Sequence, residues 1–317
     1  MMKANFVIFL LALVLATVLA MPTDQTSLAA RAIPLWQFYY GVATDQHQTN
    51  FNTLSTTGYR MISLSVYGQP PNHQYAAVWV KRSGPSYYAI HEANSTAFQS
   101  FFDTHVSEGY VSTIITATGP PSAPIFAGVM EKNGVTNWYH LCELTTTQYT
   151  NHLQNAQAKG YILKSFTEYG SPSDRRYCGI WYYNDQLEKY TYFLDESYTA
   201  YQNTFNSEMQ KPFKLWRPSY LSVSEDHQIS STFVDTYVGS WVARHGMTAD
   251  ELQSEYVNQQ AAGRYIIHLQ GGGTGSNTNY AALWSTADTP AQGISITSLF
   301  RSKLLSEPLC LLMAYLG

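Results

Sequence analysis

Residues recur along this chain at a period of 51 to 52, and this repeat limits the possible fold more than any other feature. The pairs Gly58-Tyr59, Gly109-Tyr110 and Gly160-Tyr161 lie 51 residues apart, and Phe213 and Tyr265 continue the series in steps of 52. A fixed period over most of a chain is typical of an array in which each unit buries its apolar face against its neighbours. The sequence therefore predicts a repeat protein.

One unit shows the local pattern clearly. Residues 95–108 place Phe98, Phe101 and Phe102 at helical spacing and end at a glycine. A segment rich in β-branched residues follows, and two shorter apolar segments come after it across turns, which indicates three strands with antiparallel neighbours. The fold class that we predict is a β-rich α+β repeat protein of five α-β-β-β units, each of about 51 residues.

The phase of the repeat leaves two architectures open. The chain begins in mid-cycle, with a third strand at Trp36–Ala43, and ends with a second strand at Tyr280–Ser285. The N-terminal strand could complete the last unit and close a ring, which would protect its edge; the alternative is an open array. The segment Lys211–Asp235 departs from the pattern, because it lacks the pair of small residues found in the other second strands.

Tryptophan recurs at two positions of the repeat. Regular recurrence favours a place in the core, whereas a row of exposed indole rings would form a stacking platform for sugars or an extended peptide. Both alternatives remain open for these residues, which are Trp36, Trp138 and Trp241 at one position and Trp79, Trp181 and Trp284 at the other.

The composition and motifs exclude several classes of function. The net charge is only −4 and no Lys/Arg run exists, so nucleic acid is not expected as a partner. The chain contains no Ser-x-x-Lys, Gly-x-Ser-x-Gly or His-Glu-x-x-His sequence, and no zinc-type Cys/His spacing. We therefore expect no catalytic residue, cofactor site or metal site in this chain.

Both ends of the chain differ from the repeats. Residues 1–20 contain Lys3 followed by an apolar run, which is typical of a secretory signal peptide cleaved after Ala20; an N-terminal anchor helix is the alternative. We expect a linker at 21–34, the repeat domain at 35–288 and an irregular apolar tail at 289–317. The mature protein is then secreted and extracellular, without a membrane segment.

Secretion permits disulfides and glycans. Cys142 falls in the third predicted strand of one repeat and Cys178 in the second strand of the next. We predict a bridge between them, with two buried free thiols as the alternative. The sequence Asn94-Ser95-Thr96 is an N-glycosylation acceptor, and we expect a glycan on Asn94.

Three further motifs have simpler structural explanations. The glycine run 271–275 could hold a phosphate, but it occupies a strand-to-strand turn position. His91 and His245 share one repeat position, where packing before a helix is the expected role. The charged sequence 174–176 is expected to be a solvated turn.

Two segments, Gly58–Phe102 and Trp241–Tyr265, resemble the tandem repeats of bacterial repeat proteins and of the N-terminal domain of fungal polyglycine hydrolases. The resemblance covers residues 36 to 285. In that family the repeat domain precedes a β-lactamase-like serine hydrolase domain that cleaves polyglycine linkers. The resemblance implies a secreted fungal protein in the context of a hydrolase, and it supplies no catalytic residue here.

The predicted function is a secreted, non-catalytic repeat module that binds or positions an extracellular protein or polysaccharide. One alternative is the front part of a secreted β-lactamase-like serine hydrolase, a polyglycine endopeptidase, whose catalytic half is missing. A second alternative is a structural spacer.

Overall fold

The computed structural model describes residues 36–211 and 216–287. The chain divides into two compact units, residues 1–34 and 35–317, and every described residue belongs to the second. The predicted signal peptide, linker and apolar tail lie outside the described residues, as does Cys310.

The described chain repeats the order strand, helix, strand, strand five times. Unit 1 contains β1 (Trp36–Val42), α1 (Thr44–Thr56), β2 (Tyr59–Tyr67) and β3 (Gln74–Lys81). Unit 2 contains β4 (Tyr87–Ala93), α2 (Ser95–Ser107), β5 (Val111–Thr118) and β6 (Ile125–Glu131). Unit 3 contains β7 (Trp138–Thr145), α3 (Thr146–Ala158), β8 (Tyr161–Tyr169) and β9 (Arg176–Tyr183). Unit 4 contains β10 (Tyr190–Glu196), α4 (Tyr198–Met209), β11 (Arg217–Val223) and β12 (Ile229–Val234). Unit 5 contains β13 (Trp241–Met247), α5 (Ala249–Ala261), β14 (Tyr265–Gly272), a short 3₁₀ turn and β15 (Asn279–Ser285).

The helices begin and end at residues suited to those positions. Asn94, Thr145, Ser197 and Thr248 each accept a hydrogen bond from the backbone N–H three residues further on. Such a cap contributes about 1 kcal/mol to helix stability. At the other end, Gly109 has φ of +85°, a conformation that glycine adopts without steric cost. The Gly-Tyr pairs of the sequence therefore mark the passage from helix to strand.

Each unit forms one three-stranded antiparallel sheet with its last strand in the centre, as in the order β1-β3-β2. The predicted β-rich array of five helix-containing units is confirmed. The strand before each helix joins the sheet of the two strands after that helix, so the unit runs β-α-β-β. The N-terminal strand pairs with β3 of its own unit, with Trp36 opposite Val80. It does not complete the last sheet, because β13 and β14 already occupy both edges of β15.

The five units nevertheless form a closed ring, through contacts between neighbouring units. The strand after each helix, here called the inner strand, lies beside the inner strand of the next unit in the order β2, β5, β8, β11, β14, and β14 lies against β2. Equivalent residues of neighbouring inner strands contact each other, so these strands run in one direction and the ring has two different ends. At the turn end the helices begin and turns connect the last two strands of each unit. At the junction end the helices finish and loops lead to the next unit.

Hydrogen bonds from backbone to side chain hold the inner strands together. A buried N–H without a partner is costly, and the free edge of each inner strand is satisfied by a polar side chain of the next one. Four pairs are Val66 N to Thr116 Oγ1 at 3.1 Å, Ile115 N to Ser165 Oγ at 3.2 Å, Glu168 N to Ser222 Oγ at 3.1 Å and Leu269 N to Ser63 Oγ at 3.1 Å. Between units 4 and 5, His268 Nε2 contacts the backbone of Leu221, 2.8 Å from its O and 3.2 Å from its N.

Aromatic rings fill the spaces between units. The aromatic residue that begins the first strand of a unit packs on the helix of the preceding unit. Trp138 in β7 packs in this way on Phe102 of α2, and Trp241 in β13 packs on Phe205 of α4. Trp36 makes the same contact across the closure, with its ring 5.1 Å from that of Tyr256 in α5. The N-terminal strand therefore closes the ring through side chains rather than through strand pairing.

The fourth unit also follows the common pattern. Its central strand β12 places Ser230 and Ser231, both completely buried, where β3 has Ala76 and Ala77. The expectation that this unit lacks a pair of small residues is wrong, because serine fills the crowded position as well as alanine.

Candidate functional site

A pocket lies on the axis of the ring and opens at the junction end. Its volume is about 280 Å³ and all five inner strands line it. Each inner strand contains a β-bulge, and bulges re-aim side chains. The five bulged residues all line this axial pocket, and they are Ile62, Thr113, Lys164, Ser219 and Ile267.

The axial pocket has aliphatic walls with charged groups among them. Lys164 Nζ lies 2.9 Å from Glu188 Oε1. Arg217 is buried and donates to two backbone carbonyls, Thr236 O at 2.9 Å and Pro218 O at 3.0 Å. Burial lowers the pKa of Arg217 to about 10, against the opposing effect of Glu188. Arg217 is therefore still a cation at neutral pH.

Exposed apolar side chains lie on the junction-end loops beside the pocket. Leu187 is 83% exposed and has φ of +53°, and Tyr237 is 56% exposed. Their two loops are tied together, since Lys189 N donates to Asp235 Oδ1 at 2.8 Å. We call these loops, residues 184–189 and 235–240, the rim. A rigid pocket with an apolar rim is a common form of binding site.

Charge is unevenly distributed between the two ends of the ring. At the turn end, Arg175 and Arg176 are the basic residues, and the acidic residues are Asp45, Glu92, Glu143, Asp174, Asp195, Glu196, Glu225, Asp226, Asp250 and Glu251. At the junction end, the acidic residues are Glu108, Glu131, Asp185, Glu188, Glu208 and Asp235, and the basic residues are Arg60, Lys81, Arg82, Lys132, Lys159, Lys164, Lys189, Lys211, Arg217 and Arg264. The arrangement complements the helix dipoles, and it makes the junction end the basic one.

The turn end of the axis is closed by a carboxylate. Glu225 of unit 4 accepts hydrogen bonds from Thr118 Oγ1 and Gly119 N of unit 2, both at 3.2 Å, and from the Gln69 amide of unit 1. Units 1 and 2 lie opposite unit 4 in a ring of five, so Glu225 crosses the axis. The inner-strand residues that line the axial pocket all lie in the junction-end half of those strands, and Glu225 spans the axis beyond them.

A second, shallower pocket of about 650 Å³ lies at the turn end between units 1 and 2. Glu92 accepts hydrogen bonds there from Thr44 Oγ1 at 2.9 Å, from Tyr75 Oη at 2.5 Å and from His73 Nε2 at 2.6 Å. Burial alone would raise the pKa of Glu92, but these three hydrogen bonds lower it. His47 stacks on Tyr75, and its pKa falls to about 3, mainly through burial.

This cluster does not have the geometry of a catalytic triad. A triad needs the nucleophile on one imidazole nitrogen and the carboxylate on the other. Here Thr44 and Glu92 both face Nε2 of His73, at 3.4 and 2.6 Å, while Nδ1 is buried without a hydrogen-bond partner among the described residues. Across residues 36–211 and 216–287, no group of His, Cys, Asp and Glu could hold a metal ion.

A buried charge cluster joins units 3 and 4. Arg175 pairs with Asp195 at 3.2 Å and with Asp226 at 2.5 Å, so the expected solvated turn at 174–176 is wrong for Arg175, which is buried. Glu168 accepts from Ser230 Oγ at 2.6 Å. Burial, followed by the nearby Asp195 carboxylate, raises the pKa of Glu168 well above its usual range.

The structure places the remaining residues singled out from the sequence as follows. Trp79, Trp181 and Trp284 are completely buried, whereas Trp36, Trp138 and Trp241 are partly buried between units. All six therefore pack within the ring, and no row of exposed rings forms from them. Cys142 and Cys178 form a disulfide between β7 and β9, with Cα atoms 4.0 Å apart. Asn94 is exposed and caps α2 through Oδ1.

The other motifs serve packing. Gly271 and Gly272 lie in β14, where a Cβ atom would come within 2.5 Å of the Tyr67 ring or 2.3 Å of Val223. The glycine run therefore allows close contact on both sides of β14, with unit 1 at Gly271 and with unit 4 at Gly272. His91 Nε2 donates a hydrogen bond to Gln48 Oε1, while His245 lies against the ring of Tyr201.

Sequence reasoning missed one recurrent position. Gly41, Glu92, Glu143, Asp195 and Gly246 are related by the repeat, and each has positive φ just before a helix. Units 2, 3 and 4 have an acidic residue there and units 1 and 5 have glycine, which is an unusual pair of residue types for one position. The period was the signal that could have found it.

The fold defines a closed ring of five β-α-β-β units with one open, basic end. The chain belongs to the family described as "Polyglycine hydrolase-like, structural repeat", whose profile matches residues 33–82, 84–133, 136–184 and 238–287. Each match spans one strand-helix-strand-strand unit, and the structure adds the fourth unit between the last two matches. Within the described part of the chain, no helix has the length and apolar character needed to cross a bilayer.

Proposed function

We propose that this chain is a secreted binding module, without catalysis of its own, that engages a protein or glycan target at the junction end of the ring. The axial pocket carries this proposal, because all five units contribute to one concave site on a rigid scaffold. The rim adds exposed Leu187 and Tyr237 around it, and aromatic and aliphatic anchors beside a pocket are typical of recognition sites.

The arrangement of the polar clusters supports a role without catalysis. Thr44 and Glu92 compete for one nitrogen of His73. In the ring interior, His268 has its Nε2 engaged by the backbone of Leu221, and its pKa falls to about 4, mainly through burial. Both imidazoles contact residues of a neighbouring unit, which supports structural roles for them. The hydroxyl nearest to His268 is that of Ser63, 3.5 Å from Nδ1, and it also accepts a hydrogen bond from the backbone of Leu269.

A hydrolase is the competing proposal, because the family description itself names polyglycine hydrolases. The two proposals separate when the purified chain is incubated with a polyglycine-containing protein. We expect saturable binding and an intact target by mass spectrometry. Cleavage that survives controls for contaminating proteases would establish the hydrolase instead.

A matched pair of variants locates the binding surface. Leu187→Asp places a charge on the rim, and we expect it to weaken binding by about tenfold, which corresponds to about 1.4 kcal/mol. Val257→Asp places the same charge on the exposed face of α5, where Val257 is 54% exposed. Equal effects of the two variants on binding, or no effect of either, would contradict a binding site at the rim.

A further inference from the structure

We propose that the axial pocket is a carboxylate site that receives the C-terminal end of an extended protein segment, and this inference rests on the proposed binding role of the junction end. The pocket is blind, because Glu225 crosses the axis at the turn end through its bonds to Thr118 and Gly119. A chain cannot pass through it. A volume of about 280 Å³ admits a chain end or a single side chain.

The charges in the pocket favour an anion. Each acidic residue in the lining already has a cation, since Glu131 pairs with Arg60 at 2.5 Å and Glu188 pairs with Lys164 at 2.9 Å. Arg217 contacts no carboxylate among the described residues, and its two hydrogen bonds go to backbone carbonyls. Glu188 favours the charged form of Arg217 from within the same lining, but its direct ion pair is with Lys164. A bound anion would give this buried cation a direct partner, which lowers the cost of burying it.

The walls select among anions. Ile62, Ile114, Leu163, Val234 and Ile267 line the same pocket as Arg217, so an aliphatic side chain fits beside the charged group. A peptide C-terminus carries a carboxylate and a side chain on one carbon atom, and it matches this combination. A neutral glycan would gain little from aliphatic walls and would give Arg217 no charged partner of its own.

Short peptides test the site on the full chain. Acetyl-Ala-Ala-Leu with a free carboxylate, its C-terminal amide, and the amidated peptide acetyl-Ala-Glu-Ala would be titrated by calorimetry. We expect the free acid to bind on the order of tenfold more tightly than the amide, with the affinity falling as salt is added. Equal binding of acid and amide, or no binding of any peptide, would overturn the proposal. Tighter binding of the glutamate peptide would also overturn it, in favour of an acidic side chain.

A pair of lysine variants assigns the binding to the pocket. Lys164→Gln removes the charge at the mouth of the pocket. We expect this variant to bind the free-acid peptide several-fold more weakly and to bind the amide peptide as the wild type does. Lys132→Gln removes an exposed charge of the junction end outside the pocket lining, and we expect no change. Equal losses in the two variants would show general attraction to a basic surface and would contradict a pocket.

The outcome is separable from that of the proposed function. One outcome is that Leu187→Asp weakens binding of the polyglycine-containing target, Lys164→Gln does not, and the acid and amide peptides bind equally. This outcome would contradict only the carboxylate site. Selective binding of the free acid without any effect of Leu187→Asp on the protein target would keep the pocket and remove the rim from the proposed function.

Discussion

Ser63 in the first unit accepts a hydrogen bond from the backbone N–H of Leu269 in the fifth unit, at 3.1 Å. The two residues are far apart in the sequence, and their contact closes the ring. The neighbouring pair of Ser65 and Gly271 N repeats the bond at 3.2 Å. Two small hydroxyl side chains therefore supply the free edge of β14 with the partners that a further strand would otherwise give.

The closure makes a prediction for stability. Ser63→Ala leaves the buried N–H of Leu269 without this partner, which costs about 1–3 kcal/mol. Ser100→Ala, on the exposed face of α2, serves as the control and should change the free energy of unfolding by less than about 0.5 kcal/mol. Urea denaturation measures the free energy of unfolding of both variants. A Ser63→Ala variant as stable as the control would argue against the closure bond.

An aromatic pair tests the same closure independently. Trp36 and Tyr256 meet edge to face across the first and fifth units, and such pairs contribute about 0.5–1.5 kcal/mol beyond the area that they bury. A double-mutant cycle with Trp36→Leu and Tyr256→Leu should give a coupling energy in this range. The pair Trp138 and Phe102, within the array, provides the reference. Additive effects at the closure, with coupling at the reference pair, would indicate an open ring in solution.

The repeat period predicts a large part of this fold, and the reason is local. Helix spacing, β-branched segments and Gly-Tyr pairs lie within a few residues of each other, so five similar units are visible in the sequence. The sequence does not show where one unit ends and the next begins, because a strand before a helix could pair with the strands that precede it or with those that follow the helix. Burial of Arg175 was also missed, since its partner Asp226 belongs to another unit. Neither the axial pocket nor the separation of charge between the two ends has a signal in composition.

Glu168 is expected to make the stability of the fold decrease as the pH rises above the ordinary carboxyl range. Its pKa is raised in the folded protein, chiefly by burial, so the protonated form is favoured on folding. That contribution is complete below the unfolded pKa and is lost as the pH rises through the raised folded pKa. Glu168→Gln should therefore weaken the loss of stability that accompanies a rise in pH above the ordinary carboxyl range, as measured by thermal melts across pH. Glu108→Gln is the control, since Glu108 is largely exposed. An unchanged pH profile in Glu168→Gln would show that the Glu168 carboxyl group does not cause the pH dependence of stability.

The bridge between Cys142 and Cys178 is expected to stabilise the third unit. It closes a loop with a sequence separation of 36, and removing such a bridge costs about 2–4 kcal/mol. Cys142→Ser should lower the melting temperature accordingly, and a reductant should lower that of the wild type only. Mass spectrometry after non-reducing digestion identifies the pairing directly. Recovery of Cys142 as an alkylated free thiol would contradict it.

Asn94 combines two roles that variants can separate. Its Oδ1 caps α2 at 2.9 Å from Ala97 N, and a glycan would be attached to the other side-chain atom, Nδ2. Asn94→Ser removes the acceptor and retains a good cap, whereas Asn94→Ala removes both. We expect glycosidase to shift the mobility of the wild type alone, and only Asn94→Ala to lose about 1 kcal/mol of stability. Wild-type protein that is secreted without a glycan would contradict the first expectation.

Hydrogen–deuterium exchange of the chain with and without a polyglycine-containing target protein tests the central claim most directly, because it reports the bound surface at the level of peptides. We predict slower exchange in the bound state at the bulged segment around Lys164 and at the rim loops, residues 184–189 and 235–240, with the target recovered intact. Protection confined to the turn end around His73 and Glu92, or cleavage of the target, would contradict a non-catalytic module that binds at the junction end.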